Sequence, residues 1–178
     1  SSARTDATVG CAGELPVGTP ASRVLLALDA ALVVAGAAPP QADPAEGLGA
    51  GDTVAVVDDA VVRSWATAAL RERGARLVFL PRARAYGRLQ RGEVDAVADL
   101  EYAAWAASEH RPGLWVAGGH PTDAVDVVAG SGANAQVLAA IARALGRLIV
   151  TGRYGLLFGA WFPGAPTPAA VGGSADGV

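Results

Sequence analysis

The sequence predicts an α/β protein built around a parallel sheet. The first observation is a regular alternation of short apolar segments with amphipathic ones between residues 53 and 109. Strands that alternate with helices of this length are typical of βαβ units. The second is a long segment at 134–150, where Val137, Ile141 and Leu145 recur at helical spacing. We therefore expect a parallel sheet in the middle of the chain and C-terminal helices outside it.

The pattern predicts individual strands and helices, each with a first and a last residue. The predicted elements are, in order, a strand at Thr53–Val57, a helix at 59–73, a strand at Arg76–Leu80, a helix at Arg82–Gln90, a strand at 94–98, a helix at 100–109, strands at 114–117 and 124–129, and helices at 134–150 and Arg153–Trp161. Gly92 stands where the helix before it should end, because glycine readily takes the left-handed conformation that closes many helices.

The N-terminal third and the tail are less regular. Residues 5–10 fit one strand, and the apolar run 24–34 fits two buried strands separated by Asp29. Residues 37–51 contain three prolines and three glycines and are predicted to form a connector. The segment 163–178 is rich in glycine, proline and alanine and is predicted to be disordered.

The composition excludes several functions. The 178 residues include 52% hydrophobic residues and carry a net charge of −3, and no basic cluster favours nucleic-acid binding. All 14 basic residues are arginine, so no lysine-dependent mechanism is available. Cys11 is the single cysteine, which rules out an internal disulfide. No apolar run approaches the roughly 20 residues of a membrane span.

Asp99 is the most informative polar residue. It stands where the strand at 94–98 would emerge, and open parallel sheets bind ligands in the crevice at the carboxyl ends of their strands. The same position also suits an N-cap of the following helix. The residues alone leave both interpretations open.

Two families resemble parts of this pattern. Asp58 and Asp59 after one strand, with Asp99 after another, resemble the acidic pair and the phospho-accepting aspartate of response-regulator receiver domains. That resemblance implies a Mg²⁺ site formed by carboxylates that lie close together. A receiver also needs a lysine, which is absent, and it leaves residues 1–50 and 130–162 without a role.

The second resemblance covers residues 1–164 and is to type 2 periplasmic solute-binding proteins of amino-acid ABC transporters. Three segments carry it in the correct order: 48–56 (LGAGDTVAV) is similar to "L-x-G-K-x-V-G-V", 89–99 (LQRGEVDAVAD) to "L-x-x-G-R-V-D-A-x-x-x-D", and 134–162, with Gly-Arg-Tyr and Trp-Phe, to the closing helices. Residues 20–23 are in addition similar to "T-P-x-R". It is the order of the segments that makes this the preferred interpretation.

This resemblance implies a two-lobed α/β fold with parallel-sheet lobes and a ligand cleft between them. Residues 1–34 and 122–162 would form lobe 1, of which the early part is missing, and 48–118 would form lobe 2. The protein would be a monomer that works in the periplasm or another extracytoplasmic space and delivers a small polar solute, an amino acid or a related amine, to an ABC transporter permease. Contact with the membrane would be made only through the transporter or a lipid anchor.

The resemblance also implies roles for individual residues. Arg23 would pair with the ligand carboxylate in a bidentate fork, with Gly18 and Thr19 beside it. Asp99 would accept from the ligand ammonium. The first residues of the helix at 59–73, Asp59 and Ala60, would place free N–H groups beside an anion.

The sequence departs from the family at that helix. The family has Gly-Ser or Gly-Thr where this chain has Asp58 and Asp59, and two carboxylates there would repel a ligand carboxylate. No catalytic triad, phosphate loop or metal-ligand spacing is visible, so we predict neither an enzyme nor a cofactor or metal requirement. A sensor domain with the solute-binding fold and a dehydratase-like enzyme stay open as alternatives.

Overall fold

A computed structural model describes residues 8–11, 21–37, 43–122, 125–129 and 135–167. The described residues form two compact units. The first takes those within 1–28, 123–161 and 166–178, and the second takes 29–122 and 162–165.

The second unit contains a five-stranded mixed sheet. Its strands are β3 (Ala30–Ala35), β4 (Thr53–Val57), β5 (Arg76–Leu80), β6 (Ala96–Leu100) and β7 (Leu114–His120), and their order across the sheet is β5-β4-β6-β3-β7. β4 pairs in parallel with both β5 and β6. β3 runs antiparallel to both β6 and β7. The predicted parallel sheet is therefore confirmed for β5, β4 and β6 on one side, and β3 makes the whole sheet mixed.

Four helices accompany this sheet: α1 (Pro44–Gly47), α2 (Ala60–Ala66, continued by a π-helical turn at Thr67–Arg71), α3 (Arg82–Gln90) and α4 (Glu101–Glu109). α3 was predicted with the bounds that the structure gives it. Its inner face carries Ala85, Tyr86 and Leu89, which are buried against sheet residues that include Val57 and Val97. This spacing of three and four residues is what an amphipathic helix needs to cover a sheet.

The structure places β3 differently from the predicted division of the chain. Residues 1–34 were assigned to lobe 1, but Ala31 and Val33 of β3 pair with Asp99 and Val97 of β6. β3 therefore belongs to the second unit, and the chain passes between the units at residues 28–29. The sequence did not reveal this because Asp29 alone interrupts the apolar run, and no glycine or proline marks a boundary there.

The first unit is built on a three-stranded antiparallel sheet. β1 (Thr8–Cys11) and β2 (Ala21–Ala27) both pair with β8 (Val125–Ala129), which lies between them. α5 (Ala135–Val150) packs on β2 and β8, and α6 (Arg153–Trp161) follows after Gly152 at a φ of 72°. The predicted C-terminal helices are confirmed, and they do lie outside the five-stranded sheet.

Several predicted bounds need correction. β6 begins and ends two residues later than the predicted strand at 94–98, because Asp95 is a turn residue whose carboxylate accepts from Thr53 N–H at 2.7 Å. The predicted connector at 37–51 contains α1, capped by Asp43. The segment predicted to be disordered, 163–178, begins with five described residues, 163–167, and Ala165 N–H donates to the Phe162 carbonyl at 3.2 Å. Residues 168–178 lie outside the described part.

Within the described residues, no single helix has the length and apolar character to cross a membrane. α5 and α6 meet the length and composition requirements only as a pair, and they are bent by 89° at the break between them.

Candidate functional site

Several polar side chains lie at the carboxyl ends of the three parallel strands. These strand ends are called here the carboxyl edge of the five-stranded sheet. Asp58 and Asp59 follow β4, Arg82 follows β5, and Asp99 is the penultimate residue of β6. Because β4 lies between β5 and β6, the Arg82 side chain reaches Asp99 across the end of β4. This is the edge at which open α/β sheets bind ligands.

Asp99 is fully buried, and all of its hydrogen-bonding capacity is used inside the protein. Arg82 donates to it twice, from Nε to Oδ2 at 2.7 Å and from Nη2 to Oδ1 at 2.8 Å. The Tyr86 hydroxyl donates to Oδ2 at 3.1 Å, and the Leu100 N–H donates to Oδ1 at 2.8 Å. A buried carboxylate requires such partners, and a bidentate arginine is the strongest of them.

The partners of Asp99 come from α3. Arg82 is the first residue of this helix and Tyr86 stands one turn later, so both side chains lie on the helix face that covers the sheet. The hydrogen bond to Asp99 raises the pKa of Arg82. Burial, reinforced by the Asp99 charge, raises the pKa of Tyr86 far above its ordinary value. The guanidinium carbon of Arg111 lies 5.0 Å from the centre of the Tyr86 ring.

The two acidic residues after β4 have separate local partners. Asp59 is the N-cap of α2: its Oδ1 accepts from the N–H groups of Val61 at 2.9 Å and Val62 at 3.2 Å. Asp58 forms an exposed ion pair with Arg63 at 2.8 Å. The N-terminus of α2, which the resemblance assigned to a ligand anion, is thus occupied by a carboxylate of the chain itself.

A second polar group lies where β3 begins and β7 ends. Burial is the main cause of the raised pKa of Glu101, and the nearby Asp29 charge adds to it. A Cβ at Gly119 would lie 2.5 Å from Glu101 Oε1, so a larger residue there would require this carboxyl group to move. His120 stacks on Trp65 with ring centroids 4.7 Å apart, and its Nε2 lies 3.6 Å from Asp43 Oδ1.

Only some of the predicted ligand residues can be placed. Asp99, Asp59 and Ala60 lie at the same edge of the second unit. Arg23 is in β2, and its side chain is outside what the structure describes. Gly18 and Thr19 also lie outside the described residues. Ligand contact by the other five residues stays a prediction, whereas Asp99 has no free acceptor for the ligand ammonium that the resemblance implies.

The receiver interpretation requires three carboxylates at one metal ion. Asp58 is paired with Arg63, Asp59 caps α2, and Asp99 is paired with Arg82. Among the described residues, no group of three histidine, cysteine, aspartate or glutamate side chains could hold a metal ion. No structural observation favours this alternative.

Sequence reasoning missed Arg82 and Tyr86. A signal was present, because an arginine in the first turn of a helix faces the positive end of the helix dipole and is disfavoured there unless it has an anionic partner. The strand register that brings Asp99 within reach could not be derived from the residues alone.

A second feature of α3 lies on its opposite face. An open groove of about 420 Å³ is lined by Ala83, Arg84, Gly87, Arg88 and Arg91. Arg88 and Arg91 both lie near Glu93, with the shorter ion pair at Arg91. The groove faces away from Asp99, because residues 84, 88 and 91 follow one helical face and residues 82, 86 and 89 follow the other.

Comparison with known proteins finds similarity in structure. No protein-family model matches the sequence, and no curated protein matches it. The second substrate-binding domain of a putative amino-acid ABC transporter from Streptococcus pneumoniae superposes with a TM-score of 0.66 at 19% identity, over 80% of this chain and 64% of that one. An ancestral cationic amino-acid solute-binding protein gives 0.69 at 18% identity, over 81% and 62%. A mutant of an arginine-binding protein from T. maritima gives 0.60 at 23% identity, over 81% and 62%.

These neighbours are mostly binding proteins rather than enzymes, although one is an ancestral amino-acid-binding protein described as a precursor of cyclohexadienyl dehydratase. This chain spans less than two thirds of the length of the three superposed proteins above. The described part of the chain therefore has the two-unit α/β fold of type 2 solute-binding proteins, as the sequence predicted, and represents part of that fold.

Proposed function

We propose that this chain is the solute-binding part of an extracytoplasmic substrate-binding protein that captures a small polar solute for an ABC transporter. The observation that carries the proposal is the fold, which matches substrate-binding domains of amino-acid ABC transporters over about four fifths of this chain. The polar carboxyl edge of the five-stranded sheet supports it, because this is where such sheets bind ligands.

Amino acids and related amines are the solute class to test first. Proteins with this fold include one bound to L-arginine, one bound to arginine and one bound to glutamine, at 20–21% identity to this chain. Asp99 in this chain is already saturated by Arg82, Tyr86 and Leu100, which gives an incoming ammonium group no acceptor there. The class is therefore proposed from the fold, and recognition at Asp99 is not part of the proposal.

Isothermal calorimetry with the twenty amino acids and a set of polyamines tests the proposal. We expect saturable binding of at least one of them at a 1:1 ratio. The thermally unfolded protein serves as the control for non-specific heat. If no solute in the panel binds, the chain does not act as an amino-acid or amine receptor and the proposal fails.

Localisation and the transporter partner need their own test. We expect the native protein to be released with the extracytoplasmic fraction of its cells, and its deletion to reduce uptake of the radiolabelled solute found by calorimetry. A protein recovered only with the cytoplasm would contradict this part of the proposal.

A further inference from the structure

Asp99 has no capacity left for a ligand. An ionised carboxylate offers about four lone-pair positions. Arg82 takes one on each oxygen, Tyr86 takes the second position on Oδ2, and Leu100 takes the second on Oδ1. Because the side chain is also fully buried, a solute at this edge cannot make contact with Asp99.

Arg82 has donor capacity left. Two of its five N–H groups point at Asp99, and the other three make no hydrogen bond among the residues that the structure describes. Its side chain is 47% exposed, while that of Asp99 is 0% exposed. The carboxylate is thus buried, while the three remaining N–H groups belong to a half-exposed guanidinium. The two hydrogen bonds to Asp99 fix the orientation of that guanidinium.

The N-terminus of α3 adds a positive partial charge beside Arg82. Its N-cap is Pro81, which provides no side-chain acceptor, so the first N–H groups of the helix are not capped by a carboxylate. α2 differs, because Asp59 occupies the equivalent position at its N-terminus. Arg82 also adds positive charge where the helix dipole already favours an anion. A bound anion would accept from the uncapped N–H groups and would also offset the positive charge of Arg82 at this helix terminus.

We propose that Arg82 binds the carboxylate of a small organic solute at this edge, and that the solute needs no ammonium group directed at Asp99. The inference rests on the proposed function and narrows it to recognition by the carboxylate. Asp99, which also accepts from Tyr86, holds the guanidinium through two hydrogen bonds and so fixes its planar fork for a carboxylate.

The test compares solutes that differ by one group. Calorimetry on the full chain would use arginine, glutamine and alanine, each with its analogue that lacks the α-amino group and its analogue that lacks the carboxylate. For the solute that binds, we expect loss of the carboxylate to weaken binding by at least about tenfold, the scale of a hydrogen bond to a charged group. Loss of the amino group should have little effect.

Variants then assign the effect to Arg82. Arg82→Gln should weaken binding of the carboxylate-bearing solute by at least about tenfold and leave the analogue without a carboxylate unaffected. Since Arg82→Gln alone strands a buried charge, the double variant R82Q/D99N, which carries neither charge, guards against unfolding and should show the same loss. Arg84→Gln removes an equal charge from the outer face of α3 and should bind as the wild type does.

The outcomes separate this inference from the proposed function. If a solute binds but depends on its amino group, or binds equally well to a folded R82Q/D99N protein, the assignment to Arg82 is overturned and the binding-protein proposal stands. If no solute of the panel binds the wild-type chain, both proposals fail.

Discussion

The Arg82 guanidinium holds the Asp99 carboxylate in a side-on pair, with Nε 2.7 Å from Oδ2 and Nη2 2.8 Å from Oδ1. The two residues are 17 positions apart: Arg82 begins α3 directly after β5, Asp99 lies in β6, and β4 lies between β5 and β6. Their burial is unequal: Asp99 is inaccessible to solvent, and about half of Arg82 is accessible. This asymmetry determines what happens when either partner is removed.

We predict that Arg82→Ala destabilises the protein more than Asp99→Asn does. Removing the arginine leaves a buried carboxylate without a counter-charge, which costs about 3–5 kcal/mol. Removing the acid leaves a half-exposed arginine that can turn toward water, at a cost of about 1–3 kcal/mol. Urea unfolding of both variants and of the double variant R82A/D99N measures the difference and the coupling. Equal losses in the two single variants would show that burial does not govern the pair.

Tyr86 provides a pH-dependent prediction. Burial and the Asp99 charge raise the pKa of Tyr86 in the folded state far above its unfolded value of 10.0, so the folded state retains a proton that the unfolded state releases. The stabilisation is complete below about pH 10 and is lost as the pH rises above it. We expect the free energy of unfolding to fall between pH 9 and pH 11 in the wild type and to fall less steeply in Tyr86→Phe, as measured by urea titration. Identical slopes would contradict this assignment.

At neutral pH, Tyr86→Phe should also be less stable than the wild type. The change keeps the ring and removes one hydrogen bond to a charged acceptor, which contributes about 1.5–3 kcal/mol. Tyr154→Phe is a suitable control, because burial raises the pKa of Tyr154 too but Asp99 is not among the causes.

Most of the second unit could be predicted because its residues act locally. The bounds of its β4, β5 and α3 were predicted as the structure has them, as were those of α6 in the first unit, since each combines a periodic apolar pattern with a glycine, proline or charged boundary. β3 was assigned to the wrong unit, because its apolar run gives no information about which strand it pairs with. Pairing between distant strands depends on tertiary contacts that periodicity does not encode.

In the candidate site, too, the features that depend on local sequence were predicted and those that depend on tertiary contacts were not. Asp99 was located correctly at the carboxyl end of a strand, and Asp59 at a helix start where it acts as the N-cap. The partner of Asp99 could not be derived, because Arg82 reaches it across an intervening strand and only the sheet order β5-β4-β6 brings the two together. The side chain of Arg23 is not described, so its predicted role as the carboxylate ligand stays a prediction.

Two glycine-to-alanine changes should have opposite effects. A Cβ at Gly119 would lie 2.5 Å from Glu101 Oε1, so Gly119→Ala must displace a partly buried carboxyl group and should lower the melting temperature. At Gly159, inside α6, a Cβ meets nothing within 4 Å among the described residues. Gly159→Ala should therefore stabilise by about 0.5–1 kcal/mol. Thermal unfolding followed by circular dichroism compares them, and G119A combined with E101A should recover stability if the clash is the cause.

Two substitutions of Asp59 separate its effect as the N-cap of α2 from the effect of its negative charge. Its carboxylate accepts from Val61 N–H and Val62 N–H, so Asp59→Ala should destabilise the protein by about 0.5–2 kcal/mol. Asp59→Ser keeps an acceptor at the N-cap and removes the negative charge, so its stability should stay close to that of the wild type. If a solute carboxylate binds beside Arg82, Asp59→Ser should also strengthen its binding, because a like charge at the same edge has been removed. Urea unfolding and calorimetry on the two variants measure both effects, and weaker binding by a fully stable D59S protein would show instead that Asp59 itself contributes to holding the solute.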